Sequence, residues 1–198
     1  MKVLGLAGSP RRRGNTDLLL EQAIMGADKA GASVETVVLN KLEISPCRHC
    51  DGCINTGVCV IKDDMQSLHD KLRTADRLIL AAPLFFMTVP AQTKAMIDRC
   101  QALWVERYLL KIRRQFAPDG SRRKALLLCV GGMHRPNLFD PVNATVRAFF
   151  ATCDFEYADA LLYPATDEAG AIKSHPTALM DAFDAGVRLV KGHSSRHA

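Results

Sequence analysis

The chain contains 198 residues, of which 48% are hydrophobic and 24% are charged. This composition lets one globular domain bury its own core, and it argues against wholesale disorder, a collagen-like repeat and a small disulfide framework. The net charge of +5 comes from residues 105–124, which hold seven basic and two acidic side chains, because the rest of the chain has 19 of each. A uniformly basic nucleic-acid-binding protein is therefore excluded.

Targeting signals are absent from the sequence pattern. No window of about 18 apolar residues occurs, so we expect neither a transmembrane helix nor a membrane partner. The apolar N-terminal run is too short for a secretory signal and is followed by Arg11-Arg12-Arg13, so we expect a cytoplasmic protein. In that compartment the seven Cys would be thiols, metal ligands or catalytic groups rather than disulfides.

Short apolar runs alternate with segments of helical periodicity along the chain. Buried strands are predicted at residues 3–7, 34–39, 78–82, 125–130 and 155–162. Helices are predicted at residues 16–30, 64–75, 90–104, 141–152 and 177–190. The alternation predicts an α/β fold, a doubly wound sheet of five parallel strands between two layers of helices. We expect residues 1–191 to form this single domain and residues 192–198 to be a disordered tail.

Helix starts are predicted from the residue types before them. Asn15 or Thr16 is expected to cap the first helix, Asp63 and Asp64 to cap the second, and Pro90 to occupy the first turn of the third. In the basic segment, we expect a helix at residues 106–116 followed by a turn at residues 118–120. Its basic side chains would contact a neighbouring subunit or an acidic electron donor, or would form a solvated face.

The segment Gly8–Thr16 joins the first strand to the first helix and is rich in small residues. Backbone N–H groups in such a loop, together with the positive end of the helix, can bind a phosphate. The glycine spacing fits neither a Walker A loop nor a G-x-G-x-x-G dinucleotide site. We therefore favour a mononucleotide phosphate over a solvated turn, with the loops after strands one, three and four converging on the ligand.

These three loops resemble those of the NADPH-dependent FMN reductases, which have a flavodoxin-like fold. The motif G-S-P-R-x-x-G-N-T follows the first strand, and the resemblance extends over residues near 3 to 135. It implies an FMN site whose phosphate lies at the first loop and whose ring lies at the other two, although Phe85 and Phe86 could also be ordinary core residues. The residues that it assigns to FMN are Ser9, Arg11, Gly14, Asn15, Thr16, Pro83, Leu84, Phe85, Phe86, Gly131 and Gly132.

Four of the seven cysteines, Cys47, Cys50, Cys53 and Cys59, are concentrated in one short segment. Cysteines at two-residue intervals are typical of [4Fe–4S] ligands, whereas structural zinc more often uses two separated C-x-x-C pairs. A [4Fe–4S] cluster is favoured, with zinc and free redox thiols as the alternatives. Combined with the flavin loops, the motif resembles the iron–sulfur flavoprotein branch of the family. The other cysteines, Cys100, Cys129 and Cys153, are predicted to be core residues.

The resemblance implies an FMN-dependent oxidoreductase that couples two-electron and one-electron donors and acceptors. Its partners would be NAD(P)H, a quinone or a ferredoxin, and the family implies a homodimer or homotetramer. One alternative is an NAD(P)H-dependent FMN or quinone reductase without a cluster, and another is a non-enzymatic FMN electron carrier or redox sensor. A zinc-stabilised nucleic-acid module is disfavoured because few aromatic residues accompany the basic segment. Hydrolysis is disfavoured because no Ser/His/Asp or paired-carboxylate arrangement stands out.

Overall fold

The computed structural model describes residues 1–192, so all of the predicted tail at residues 192–198 except Gly192 lies outside the described residues. All strands are parallel and form one sheet in the order β2-β1-β3-β4-β5. The strands are β1 (Lys2–Ala7), β2 (Ser33–Val38), β3 (Arg77–Pro83), β4 (Lys124–Val130) and β5 (Glu156–Tyr163). The α-helices are α1 (Asn15–Lys29), α2 (Met65–Thr74), α3 (Ala91–Arg99), α4 (Gln101–Trp104), α5 (Asp140–Thr152) and α6 (Ala178–Lys191).

Successive residues of the central strands supply two separate cores. Leu78 and Leu80 pack with residues of α2, α3 and α5 on one face of the sheet, whereas Ile79 and Ala81 pack with α1 and α6 on the other. A strand that is buried on both faces carries apolar side chains on both, which is why β1, β3 and β4 are continuous apolar runs in the sequence. The predicted three-layer, flavodoxin-like arrangement is confirmed. Within residues 1–192, no helix has the length and apolarity needed to cross a membrane.

Helix starts differ from the predictions by small shifts. Gly14, and not Asn15 or Thr16, is the residue before α1, and Pro90 precedes α3 rather than opening it. Asp64 lies before α2 without a side-chain capping bond, while Asp63 accepts a hydrogen bond from the N–H of Met65. The predicted helix at residues 90–104 divides at Cys100 into α3 and α4.

The predicted helix at residues 106–116 is wrong beyond its first turn. A short π-helical segment, Val105–Leu109, continues from α4 and closes with a bond from the N–H of Leu110 to the carbonyl of Val105. Lys111 then adopts a left-handed backbone with a φ of 59°, which ends the helical path. The turn at residues 118–120 is present, since the N–H of Gly120 donates to the carbonyl of Ala117.

Most basic side chains of this segment are used inside the chain. The buried carboxylate of Glu106 is paired with Arg114 at 2.5 Å and with Arg73 at 2.8 Å. Asp154, also buried, lies 3.0 Å from Arg107 and 3.3 Å from Arg113. These pairs neutralise carboxylates that would be costly to bury alone, so the local charge excess has a structural use that composition did not show.

Helices α1 and α6, which pack on the same face of the sheet, contact each other at two glycine residues. A Cβ atom on Gly26 of α1 would lie 2.0 Å from the carbonyl oxygen of Phe183, and one on Gly186 of α6 would lie 1.9 Å from that of Ala23. Real atoms cannot approach so closely, so both positions require glycine for the backbones to touch. This contact fixes α1, the helix that starts at the predicted phosphate loop.

Replacing Gly186 by Ala is expected to destabilise the protein, because the new methyl group would overlap the Ala23 carbonyl. In an exposed helix the same change stabilises by roughly 1 kcal/mol, so the packing contact reverses the sign. We expect the free energy of unfolding in urea to fall by about 1–3 kcal/mol. Asp184→Ala, an exposed change on the same helix, is the control and should alter stability by less than about 0.5 kcal/mol. Unchanged or higher stability of Gly186→Ala would contradict this helix contact.

Candidate functional site

A cleft lies at the carboxyl edge of the sheet, where the segments that follow β1, β3, β4 and β5 meet. We call it the carboxyl-edge cleft. Ligands of doubly wound sheets bind at this edge because the loops there diverge and leave backbone groups free. Its lining residues are Ser9, Pro10, Arg11, Gly14, Asn15, Thr16, Pro83, Leu84, Phe85, Val130, Gly132, Thr166, Asp167 and Ala169.

The first loop is held in shape by bonds to its backbone. The Ser9 hydroxyl accepts from the N–H of Arg11 at 3.1 Å and donates to the carbonyl of Arg11 at 3.0 Å. Thr93 of α3 donates to the carbonyl of Gly8 at 3.1 Å. Asp17 accepts from the N–H of Arg13, whose φ of 56° is left-handed. The loop is therefore fixed before any ligand binds.

The electrostatics of this end of the cleft favour an anion. The first N–H groups of α1 have no intrahelical acceptor and carry the positive end of the helix dipole. Arg11 lines the cleft, whereas the Arg12 guanidinium lies 3.4 Å from the buried Asp17 carboxylate. Of these two arginines, Arg11 is the one placed to contact a ligand in the cleft.

The second loop forms a tight turn beside the cleft. Phe85 and Thr88 exchange backbone hydrogen bonds of 2.8 and 3.0 Å around Phe86 and Met87. Both central residues are left-handed, with φ values of 46° and 67°, a conformation that costs bulky residues roughly 1–3 kcal/mol each. Strain of this kind persists only where surrounding contacts enforce it. The turn leaves Phe85 half-exposed on the cleft and Phe86 fully exposed.

The segment between β5 and α6 completes the cleft and was missed by sequence reasoning. The N–H of Thr166 donates to the carbonyl of Gly131 at 2.9 Å, and that of Ala165 donates to the carbonyl of Met133 at 3.1 Å. Asp167 packs against Gly132, where a Cβ atom would lie 3.1 Å from its carboxyl carbon. The principle that ligands bind at the carboxyl ends of parallel strands also predicts this segment, because β5 ends at the same edge.

The structure brings together most of the predicted FMN residues. Asn15 uses its side-chain amide elsewhere, because it donates to the carbonyl of Glu168 at 2.9 Å and accepts from the N–H of Ile172 at 3.2 Å. Gly131 lies behind the cleft, where its N–H donates to the carbonyl of Tyr163 at 3.0 Å. Phe86 is not a lining residue. Asn15 and the other predicted residues line the cleft.

The cleft is small for a whole nucleotide. Its volume is about 80 Å³, below the roughly 300–1,000 Å³ of pockets that enclose a drug-sized ligand. A mononucleotide bound here would therefore leave part of its surface uncovered. A larger hollow of about 420 Å³ lies between α2 and the first residues of β1 and β2. We assign the site to the smaller cleft, because parallel sheets bind ligands at the carboxyl ends of strands.

Residues 47–59, which we call the cysteine loop, follow β2 and the 3-10 turn Leu39–Lys41. Because β2 is parallel to its neighbours, this loop starts at the same edge as the cleft. Asn40 donates to the carbonyl of Pro10 at 3.2 Å and so ties the start of this connection to the first loop. No helix or strand forms between residues 42 and 64.

The backbone of the cysteine loop turns repeatedly. His49 and Asp51 are left-handed, with φ values of 51° and 55°. Gly57, with a φ of 70°, packs on Glu106, whose Cγ would lie 2.3 Å from a Cβ at this position. The N–H of Gly57 donates to the carbonyl of Cys53 at 2.8 Å. These turns lead the chain back towards the earlier cysteines before Cys59.

The four cysteine side chains influence one another electrostatically. Burial raises the pKa of the Cys53 thiol, and charge on Cys59, Cys47 and Cys50 raises it further, against a lowering by a backbone hydrogen bond. Within residues 1–192, no three His, Cys, Asp or Glu side chains converge closely enough to hold a single metal ion. A cubane cluster does not require that convergence, because each thiolate ligates a different iron. A donor set of four thiols fits iron–sulfur or zinc chemistry.

Residues 1–135 match the family profile described as NADPH-dependent FMN reductase. The chain belongs to this family. The match includes the cysteine loop and the first three loops of the carboxyl-edge cleft. It confirms the family resemblance inferred from the loop motifs.

Sequence relatives within this FMN reductase family place the chain near its iron–sulfur branch. The chain is 38% identical over 111 residues to an iron–sulfur flavoprotein of Methanosarcina thermophila, covering 56% of this chain and 58% of that protein. It is 40% identical over 103 residues to an iron–sulfur flavoprotein of Methanocaldococcus jannaschii, covering 52% and 53%. The chain thus spans about half the length of the curated relatives it matches.

Solved structures of similar fold cover the whole chain. The NAD(P)H:quinone oxidoreductase from Methanothermobacter marburgensis superposes with a TM-score of 0.71 at 20% identity, covering 100% of this chain and 99% of that one. A flavone reductase superposes with a TM-score of 0.69 at 21% identity, covering 96% and 62%. At these identities the likeness shows the fold alone.

In this FMN reductase family member, His69 of α2 is a buried, neutral imidazole. Its Nε2–H donates to the carbonyl of Arg99 at 3.0 Å. Burial lowers the pKa of His69 to about 4, with further lowering by the charges of Arg73 and Arg99, against a raising by this hydrogen bond and by Glu106. The unfolded chain therefore binds a proton at this position more tightly than the folded protein does.

His69 is expected to make stability depend on pH. Its contribution is complete above the unfolded pKa of about 6.5 and is lost as the pH falls towards 4. Between pH 7 and pH 5 the loss should be about 2 kcal/mol. Urea unfolding of His69→Gln at both pH values should show a smaller decrease than the native chain. His134→Gln, an exposed control, should retain the native decrease, and equal decreases in all three proteins would contradict the assignment.

Proposed function

We propose that this protein is an FMN-dependent oxidoreductase that carries a [4Fe–4S] cluster on Cys47, Cys50, Cys53 and Cys59. The observation that carries the proposal is the carboxyl-edge cleft, with a phosphate-suited loop at one end and an apolar turn at the other. The cysteine loop begins at the same edge of the sheet, and Asn40, in the connection that leads to it, is bonded to the first loop. The names of the Methanosarcina and Methanocaldococcus relatives support both cofactors.

Each side of the cleft has a distinct task in this proposal. The first N–H groups of α1, together with Ser9, Arg11 and Thr16, would hold the phosphate of FMN. Pro83, Leu84 and Phe85 would cover one part of the ring, and backbone groups near Gly132 would contact its polar edge. When bound, FMN exchanges electrons in pairs or singly, and the cluster exchanges them singly. The protein supplies position and a fixed polar environment.

Electron-transfer partners follow from the same chemistry. We propose NAD(P)H, a quinone or a reduced ferredoxin as donor or acceptor, because a partly uncovered flavin is open to either a small molecule or a protein. The name of the Methanothermobacter structure, an NAD(P)H:quinone oxidoreductase, supports the small-molecule partners. A homodimer or homotetramer is proposed from the family resemblance. A basic docking face is less well supported, since most basic side chains of residues 105–124 are paired internally.

Cofactor analysis of protein purified without oxygen tests the proposal. We expect about one FMN and about four iron atoms per chain, with flavin bands and broad brown absorbance in the visible spectrum. Cys50→Ala should lose the iron and keep FMN, because Cys50 is an exposed loop residue remote from the core. Cys129→Ala, which changes a buried strand residue, is the matched control and should keep both.

The outcomes separate the competing functions. Colourless protein would contradict the flavoprotein assignment altogether. Yellow protein without iron would identify a cluster-free NAD(P)H-dependent FMN or quinone reductase, and zinc in place of iron would identify a structural metal. Bleaching of the flavin by NADPH, NADH or reduced ferredoxin in stopped-flow experiments would identify the donor, and failure of all three would favour an electron carrier or redox sensor.

The two neighbouring arginines of the first loop provide a matched test of the phosphate site. Arg11→Ala should weaken FMN binding roughly 10-fold to 100-fold, because a charge-assisted contact contributes about 1.5–3 kcal/mol. Arg12→Ala removes the same charge but leaves the cleft lining intact, so its effect should be several-fold smaller. FMN titration monitored by flavin fluorescence measures both affinities. Equal losses would show that only net charge matters and that the phosphate does not lie in the cleft.

A further inference from the structure

Arg99, the last residue of α3, is a buried side chain that contacts the chain on both sides of the cysteine loop. It is 1% exposed and is the largest fully buried side chain of the described residues. Its Nη1 donates to the carbonyl of Ser45 at 2.7 Å, before the cysteines, and to Asp63 at 2.6 Å, after them. Its Nη2 donates to the other oxygen of Asp63 at 3.0 Å. One guanidinium thus joins the two ends of the segment that carries all four thiols.

One donor group of the Arg99 guanidinium is available to a further hydrogen-bond acceptor. The Nε–H of Arg99 is buried and has no hydrogen-bond acceptor, sulfur included, among the described residues. The Nη2 of Arg99 lies 3.5 Å from the carbonyl oxygen of Ile61, two residues after Cys59. Burial lowers the pKa of Arg99, but its hydrogen bond to the Asp63 carboxylate and the nearby charges of Cys59 and Asp63 outweigh that effect and leave the pKa raised. An unpaired buried donor is costly, and a thiolate sulfur is an acceptor that would satisfy it.

Hydrogen bonds to ligating sulfurs are one of the ways in which proteins set the potential of iron–sulfur clusters. A cation beside the cluster also stabilises the extra negative charge of its reduced form, as Coulomb's law requires. Asp63 offsets part of the charge of Arg99 but cannot replace a donor aimed at sulfur. Arg99 therefore has the position and the chemistry to act on one ligand selectively.

We infer that Arg99 is a positioning residue that holds the Cys59 sulfur in its ligating position and donates a hydrogen bond to it. The inference rests on the proposed function, since it concerns the ligand set of the cluster. It assigns unequal roles to the four cysteines: Cys59 is supported by a buried cation, whereas Cys50 is exposed. Losing the bond should make the cluster harder to reduce.

The test compares cluster potentials in three variants purified without oxygen. Arg99→Lys keeps the positive charge but lacks the planar set of donors with which arginine bonds several acceptors at once. Arg99→Gln removes the charge. Asp63→Asn is the control, because it weakens the anchor of the loop and leaves the donor to Cys59 in place. Potentials are measured by redox titration followed by electron paramagnetic resonance, alongside iron content, FMN content and far-ultraviolet circular dichroism.

We expect Arg99→Gln to disfavour reduction of the cluster at least tenfold, a shift of about 59 mV to more negative potential for a one-electron couple. The cluster potential of Arg99→Lys should shift in the same direction by a smaller amount. The potential of Asp63→Asn should be unchanged or more positive. If Arg99→Gln does not fold, because it leaves Asp63 unpaired, the double variant Arg99→Gln/Asp63→Asn and Arg99→Lys carry the measurement.

Two results would overturn the inference. One is a cluster retained by the Arg99 variants at the native potential. The other is equal iron loss in Arg99→Lys and Asp63→Asn with native circular dichroism, which would assign Arg99 to anchoring the loop alone. Iron loss in Arg99→Lys but not in Asp63→Asn would support it. A native chain without iron would instead overturn the proposed function, so the two failures are distinguishable.

Discussion

Parallel strands buried on both faces impose the constraint on which the site depends. Every strand leaves the sheet at the same edge, so the polar backbone of five outgoing segments must be satisfied within a small region. The segments do this for one another: Thr166 bonds to Gly131, Asn15 to Glu168, Thr93 to Gly8 and Asn40 to Pro10. The cleft is the space that remains after this mutual bonding, which explains why it is small and why the first loop is rigid.

Several arginines of this protein satisfy carbonyl groups inside the fold. Arg77 donates to the carbonyl of Leu189 near the end of α6, and Arg123 donates to the carbonyls of Leu72 and Ala75 at the end of α2. Desolvation by burial lowers the pKa of Arg123 to about 10, which is still well above neutrality, so the group remains charged. The guanidinium suits this use because it offers five donors in a fixed plane. Three buried arginines, Arg77, Arg99 and Arg123, are therefore part of the internal architecture of the described residues.

The sequence was sufficient to predict the layers, the strand positions and most lining residues, because hydrophobic periodicity and strand-end position are local signals. The helix at residues 106–116 failed for a non-local reason: Glu106 must reach Arg73 and Arg114, and this buried pairing distorts the chain into a π turn. Likewise, Asn15 matches the phosphate motif, but its amide bonds to residues 153 and 157 positions further along the chain. Hydrophobic periodicity gives no information about hydrogen bonds and ion pairs between residues that are distant in the sequence.

The glycine contact between α1 and α6 has a consequence for how the molecule is made. Helix α1, which follows the first loop, packs on the sheet, but its helical packing partner is α6, about 160 residues later. During synthesis, the first 150 residues would already contain the motif for phosphate binding and all four clustered cysteines. Since domains fold as units once their contacts are available, the candidate site is completed only after α6 has been synthesised, well after the four clustered cysteines.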